Sequence, residues 1–443
     1  MRNPALSARQ RALFAAGGFG AEALNQSRAV WLVFFYAPPA DADHSGYLSL
    51  TLVTVLLFAG RLLESFDDVV IGWWSDRFRS PWGRRIPFIL GATPLWALTA
   101  VLLFMPPTDS STARIALQFL VTLMFFHFFA TLSQGPYESL LPELASTSVE
   151  RVGISAQRVY FGIGGAAVGL VGSGLLVDTV GFQAMAVTMG LLTLATRYLG
   201  LAGVWREARQ SRPGDSVGLT ESLRAIFSNR AFIAFLPSFV CFQIGLLLLT
   251  SVVPFYVRAI LGKDDEGIWS SILTGVAIVA MAAALSYFRR YARATSKRAA
   301  YSRAMLAAAC AFPLLALPGL VAEIPLTPHV ILSLALVGAP VAGVFLFPGP
   351  LTADICDEDR RVSGLRREAT FYGGQAFVEK TASSLAPLVL GLLLLLGNTA
   401  GDSLGVRLVG PVAALFVLLG YLSFRRYDLP DEIDIVQDPG ECV

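Results

Sequence analysis

The chain has 443 residues, 55% of them hydrophobic and 15% charged, with a mean hydropathy of +0.61 and a formal net charge of +2. A soluble domain is about 45–50% apolar and about 25% charged, and a globule this size would carry the excess as large apolar patches. These figures exclude a disordered chain, a secreted disulfide scaffold and a nucleic-acid binder, and they point to an integral membrane protein.

The N-terminal residues Met1 to Arg11 are polar and basic, and the stretch after them is broken by Glu22 and Arg28, so it does not read as a cleavable signal peptide. Apolar spans are expected at 12–36, 46–75, 87–106, 113–140, 152–178 and 184–205. A polar segment over 206–229 follows, then six further spans at 231–258, 267–288, 303–322, 328–353, 369–397 and 405–424. A hydrocarbon core of about 30 Å takes about 20–25 residues of helix, so twelve transmembrane helices leave no room for a separate soluble domain. The expected organisation is an N-terminal six-helix bundle over 1–205, a cytoplasmic linker over 206–229, a C-terminal six-helix bundle over 230–427 and a cytoplasmic tail over 428–443.

Basic residues set the orientation. Arg77, Arg79, Arg84 and Arg85 follow span two, Arg206, Arg209, Arg212 and Arg224 lie in the linker, and Arg289, Arg290, Arg293, Lys297, Arg298 and Arg303 follow span eight. The opposite loops at 38–46 and 322–329 carry none, which puts both termini in the cytoplasm. The loops after spans two and eight echo each other, and two such halves around an axis along the membrane normal place a binding site between them near the midplane. This all-α arrangement resembles the major facilitator superfamily, with two pseudo-symmetric six-helix bundles.

Charged side chains inside spans carry a penalty of at least about 2.5 kcal/mol each and mark function. In span two, Arg61, Glu64 and Asp68 fall on one helical face, with Asp67 at its margin. Arg61 neutralises one carboxylate, and the surplus acids read as an oxygen-rich site for a hard cation or a proton. Glu22 lies in span one, Thr131, Gln134, Tyr137 and Glu138 in span four, Arg158 at the start of span five, and Gln375, Glu379 and Lys380 in span eleven. His127, set among four phenylalanines, reads as a packing residue. The string from Gly162 to Ala167 fits GxGxxA but follows no strand, so its small residues read as a close helix approach rather than a dinucleotide site. Four scattered cysteines and three scattered histidines offer no metal-ligand spacing, and no nucleophile–base constellation suggests an enzyme.

The run from Asp68 through Gly72, Asp76, Arg77, Trp82, Gly83, Arg84 and Arg85 to Pro87 resembles the loop signature of the glycoside–pentoside–hexuronide:cation symporters. Pro136 to Glu143 looks like that family's fourth-helix segment, and Asp357 to Tyr372 like its approach to helix eleven. The resemblance implies a cation site at Glu64, Asp67, Asp68 and Thr131, solute contacts at Glu22, Gln134 and Arg158, and a lysine at Lys380 that helps couple cation and solute. Tyr137 and Lys380 are expected to line the same solute cavity. Arg61 and Glu379 are expected as coupling or ion-pair residues, and Asp76, Arg77, Arg84 and Arg85 as a cytoplasmic gate, the plain alternative for these arginines being that they set the orientation. At Gln134 the chain departs from the sugar permeases, which carry an aspartate there. The expected function is secondary active symport of a glycoside, hexuronide or similar small polar solute with Na⁺ or H⁺, without cofactor, by a monomer in a bacterial plasma membrane. The alternative cargo on the same fold is a lysophospholipid.

Overall fold

The structure is a computed structural model that describes residues 6–42, 45–78, 80–83, 85–108, 110–144, 148–209, 228–320, 323–363 and 368–429, without the side chains of 63, 65–70, 72–77, 142–143, 148–152, 156 and 368–370. The described residues are helical in chain order: α1 Ala8–Ala16, α2 Phe19–Tyr36, α3 Leu50–Arg77, α4 Ile86–Leu102, α5 Thr112–Glu138, α6 Leu141–Leu144, α7 Ser148–Ala167, α8 Ser173–Gly203 and α9 Trp205–Arg209. There follow α10 Arg230–Tyr256, α11 Glu266–Ala294, α12 Lys297–Ala311, α13 Leu326–Leu346, α14 Pro348–Ser363, α15 Glu368–Ser383, α16 Leu385–Leu394 and α17 Leu404–Phe424. Among the described residues, eight stretches are long and apolar enough to cross a membrane, at Thr112–Glu138, Gly153–Gly203, Arg230–Leu261, Glu266–Ala294, Lys297–Ala316, Leu326–Ser363, Phe371–Leu394 and Leu404–Phe424. Large apolar side chains such as Leu117, Phe125, Leu191, Leu332 and Leu415 stand exposed on these helices, an exterior suited to lipid rather than water.

Local chemistry explains where the helices break. The stretch Gly153–Gly203 has 51 residues, which as one straight rod would be about 76 Å long, more than twice the hydrocarbon thickness. Gly181 divides it, with φ +85°, a left-handed conformation that glycine adopts without a Cβ clash. The first expected span, 12–36, is instead two helices, because Gly17 and Gly18 form a poor helix interior between α1 and α2. Ser7 caps α1 in a capping box with Gln10. The expected span 328–353 lies inside the apolar stretch Leu326–Ser363, within which α13 stops before Pro348, which opens α14.

The chain forms two compact units. The first contains Met1–Gly214, Thr250–Gly275 and Pro387–Val406. Within it α5 packs on α3 and α4, while α8 packs on α1, α2 and α4. Buried polar side chains tie these helices together. Trp31 Nε1 donates to Ser173 Oγ at 2.9 Å, Thr193 Oγ1 to the Gly20 carbonyl at 2.9 Å, and the Tyr198 hydroxyl to the Leu90 carbonyl at 2.7 Å. The later segments join the same unit through Ser251, which donates to the Ala29 carbonyl, and through Asp178, which accepts from the Gly267 and Ile268 amides at the start of α11. The four orphan amides at a helix N-terminus need such acceptors, and a carboxylate also answers the positive end of the helix dipole.

The second unit contains Asp215–Leu249, Val276–Ala386 and Arg407–Val443. Its core gathers Tyr301, Phe235 and Phe424, with the Tyr301 and Phe424 rings 4.7 Å apart. Lys297 Nζ pairs with Asp354 at 2.6 Å, joining the start of α12 to the middle of α14, and Thr352 donates to Gln375 Oε1 at 2.9 Å between α14 and α15.

Candidate functional site

In the first unit a cavity of about 320 Å³ is lined by Glu22 of α2, Gln134 and Glu138 of α5, Ser155 and Arg158 of α7 and Arg197 of α8. Gly18, Ala21, Val159 and Gly162 complete the wall. Small residues bring the helices together there. A Cβ on Gly165 would lie 2.1 Å from the Phe19 carbonyl oxygen, and one on Gly169 2.3 Å from that of Ala23, so α7 and its continuation press backbone to backbone against α2. The glycine string therefore serves close helix approach, as its position inside an apolar span implies.

The lining combines two carboxylates, two guanidinium groups, an amide and a hydroxyl. Glu22 Oε1 accepts from Gln26 Nε2 at 2.7 Å, one turn along α2. Arg158 Nη2 stands 3.5 Å from Glu138 Oε1, and its guanidinium lies 5.8 Å over the Phe14 ring. Arg197 is only 2% exposed, with its guanidinium 4.3 Å over the Tyr137 ring. Such a set can grip several hydroxyls and one carboxylate, because guanidinium groups bind carboxylates through paired hydrogen bonds.

Three of the expected solute contacts, Glu22, Gln134 and Arg158, thus lie on one cavity. Tyr137 does not line it: the side chain is fully buried, stacks on Phe14 at 4.8 Å and donates its hydroxyl to the Phe14 carbonyl at 2.6 Å. Its position beside Gln134 and Glu138 suggested a cavity residue, but successive helical side chains point about 100° apart and only some can face the same space. Tyr137→Phe is expected to lower stability by about 0.5–1.5 kcal/mol through the lost hydrogen bond, the Phe14 carbonyl keeping the Gly17 amide at 3.2 Å, read as a drop in melting temperature. Arg197 was not singled out from the sequence, although an arginine inside an apolar span carries the same signal as Arg158.

A second polar cluster lies between α3 and α5. His127 Nδ1 is 2.9 Å from Glu64 Oε2, and the two side chains are 4% and 14% exposed. Arg28 of α2 and Arg61 of α3 act on the same cluster, and the Arg28 guanidinium sits 5.0 Å over the Phe126 ring. This corrects the packing assignment of His127: the phenylalanine run concealed a polar face that α3 supplies from the other side. Thr131 is buried one turn further along α5. His127, Thr131, Gln134 and Glu138 follow the 4-3-4 spacing of a single helical face, so α5 runs from this cluster to the cavity.

Asp67, Asp68, Asp76 and Arg77 lie on the described backbone of α3, but their side chains and all of Arg84 fall outside the described residues. Arg85 is buried at the start of α4. Beside it, Arg209 Nε donates to the Pro81 carbonyl at 2.9 Å, holding the loop before α4 against α9. In the second unit, Glu379 accepts from Gln243 Nε2 at 2.7 Å, and Lys380 is half-buried on α15.

Residues 13–407 match the MFS/sugar transport protein family. The chain is 23% identical to the glucuronide carrier protein homolog of Escherichia coli, over 91% of this chain and 89% of that one. It is 22% identical to the sodium-dependent lysophosphatidylcholine symporter 1 of Mus musculus, over 86% of this chain and 79% of that one. Among solved structures, the nucleoside transporter NupG superposes with a TM-score of 0.66 at 12% identity, covering 94% of this chain and 98% of NupG, which shows a common fold. With a family match across most of its length and transporters on every side, the chain belongs to the MFS/sugar transport proteins and is a multi-pass membrane transporter of the glycoside–pentoside–hexuronide:cation symporter type.

Proposed function

We propose that this transporter carries a glycoside bearing a carboxylate, a hexuronide, in symport with a monovalent cation. The observation that supports this reading is the cavity wall, where Arg158 and Arg197 share the lining with Glu22, Gln134 and Glu138, groups able to bind a carboxylate and hydroxyls. A cavity of about 320 Å³ is at the small end of ligand sites and suits a sugar ring. An acyl chain would need an apolar wall in place of these charges. The match to a glucuronide carrier homolog agrees with such a cargo.

In this reading twelve spans form two six-helix halves, 1–205 and 230–427, with linker and termini cytoplasmic, and the protein works as a monomer. Glu64, Asp67, Asp68 and Thr131 hold the coupling ion, which neutralises α3 and allows the halves to rock. Glu379 and Lys380 couple that change to the solute, and Asp76, Arg77, Arg84 and Arg85 latch the cytoplasmic side.

A thermal-stability screen of the purified protein tests the cargo. A ligand at 100 times its Kd adds about 2.7 kcal/mol to the native state. p-Nitrophenyl-β-D-glucuronide is expected to raise the melting temperature, and the corresponding uncharged glucoside to raise it less. Stabilisation by lysophosphatidylcholine alone would overturn the assignment.

A further inference from the structure

We propose that the joined ends of α11 and α12 form a binding site for an anionic phospholipid, whose phosphate rests on Arg290, Arg293 and Arg303. The inference needs only that these two helices span the bilayer, and it is independent of the cargo and of the coupling ion.

The charge in this region is one-sided. From Gly267 to Ala322 the chain has six basic residues and no Asp or Glu. Folding sorts the six into two groups. Lys297 pairs with Asp354, and Arg298 Nη2 donates to the Arg425 carbonyl at 3.3 Å, so these two hold the second unit together. Arg289, Arg290, Arg293 and Arg303 are exposed, and none has a carboxylate partner among the described residues. Orientation in the membrane depends on the number of bases near a span's end and not on the helix face they occupy. The face is what the structure adds.

Three of the four arginines stand on a lipid-facing surface. Val279, Ser286, Arg290 and Arg293 follow the 7-4-3 spacing of a single face of α11, and all four are exposed, Val279 by 70%. On α12, Leu306 is 44% exposed and lies one turn beyond Arg303, toward the middle of the span. Arg303 reaches back to α11, with its guanidinium 4.7 Å over the Tyr291 ring and 5.8 Å over that of Tyr287, and the two rings stack 6.1 Å apart. Cation–π attraction thus positions Arg303 before any ligand arrives, and its N–H edge can still fork onto a phosphate. From mid-span outward the surface is apolar, then aromatic, then basic, which is the order of an acyl chain, a glycerol backbone at the interface and a phosphate. The acids near the end of the chain, Asp431, Glu432, Asp434, Asp438 and Glu441, offer the same charge as a phosphate. A run of carboxylates leaves Val279 and Leu306 uncovered, however, and a lipid covers both.

Native mass spectrometry of the full chain, titrated in detergent with phosphatidylglycerol or phosphatidylcholine of the same acyl chains, tests the proposal. Phosphatidylglycerol is expected to bind at least about fivefold more tightly, with the preference shrinking as ammonium acetate is raised. Arg290→Gln/Arg293→Gln/Arg303→Gln is expected to weaken phosphatidylglycerol at least about tenfold and to leave phosphatidylcholine unchanged. Arg9→Gln/Arg206→Gln/Arg230→Gln removes the same charge from exposed positions elsewhere and is expected to bind phosphatidylglycerol as the wild type does. Tyr287→Leu/Tyr291→Leu keeps the charge and frees Arg303, and a several-fold loss is expected; this pair carries the test if the first triple variant does not fold. Equal binding of the two lipids overturns the proposal. So does an equal loss in both triple variants, which would show attraction to overall charge rather than to this face. Displacement of the lipid by an equal concentration of sn-glycerol 1-phosphate overturns the lipid as occupant. Phosphatidylglycerol binding that is absent from the wild type and gained in Asp431→Asn/Glu432→Gln/Asp434→Asn overturns it as well, by assigning the face to the chain's own C-terminal acids.

Discussion

Replacing Arg158 with glutamine is expected to weaken p-nitrophenyl-β-D-glucuronide binding by about tenfold to 100-fold. A hydrogen bond to a charged group contributes about 1.5–3 kcal/mol, and each 1.4 kcal/mol is a factor of ten. Arg158 is the guanidinium with the looser tether, 3.5 Å from a Glu138 that is 63% exposed, so a solute carboxylate can take it over at little cost. Arg158→Lys keeps the charge and loses the planar fork, and its affinity is expected between those of the wild type and Arg158→Gln. Isothermal titration on the three proteins checks the order. Equal affinities would remove Arg158 from the solute site, and equal losses for the uncharged glucoside would point to a collapsed cavity rather than a lost carboxylate contact. Arg197, buried against Tyr137, is expected to lose affinity and stability together on replacement, because its guanidinium also packs the wall.

The second large effect is structural. Gly165→Leu is expected to prevent assembly of the first unit, or to destabilise it by about 3 kcal/mol or more, above the usual 1–3 kcal/mol of an overpacked core. The reason is geometric: at Gly165 the obstacle is the Phe19 backbone, with a Cβ only 2.1 Å from its carbonyl oxygen, and backbone cannot rotate away as a side chain can. Gly162→Leu serves as control, since a Cβ there meets nothing within 4 Å, and it is expected to fold normally. Size-exclusion profiles and melting curves of the two variants in one detergent distinguish them. Similar behaviour of both would show that α2 and α7 do not depend on this contact.

Composition and span lengths by themselves determined that this is a helical membrane protein, because an apolar excess of this size has only the bilayer to face. The loop and helix motifs around Asp68–Pro87, Pro136–Glu143 and Asp357–Tyr372 pointed to the family, since their residue types and spacing match its signatures. Intramembrane charge singled out Glu22 and Arg158, which line one cavity, and the same signal was available for Arg197. Tertiary structure decided which of those groups face one another. Tyr137 belongs to the packing because its helical phase turns it toward Phe14, and a single residue of phase is beyond what a polar letter in an apolar run conveys. His127 belongs to a charge cluster because α3 brings Glu64 to its nitrogen from 63 residues away in the chain. A buried polar side chain is defined by its partner, and that partner is fixed only when the helices pack.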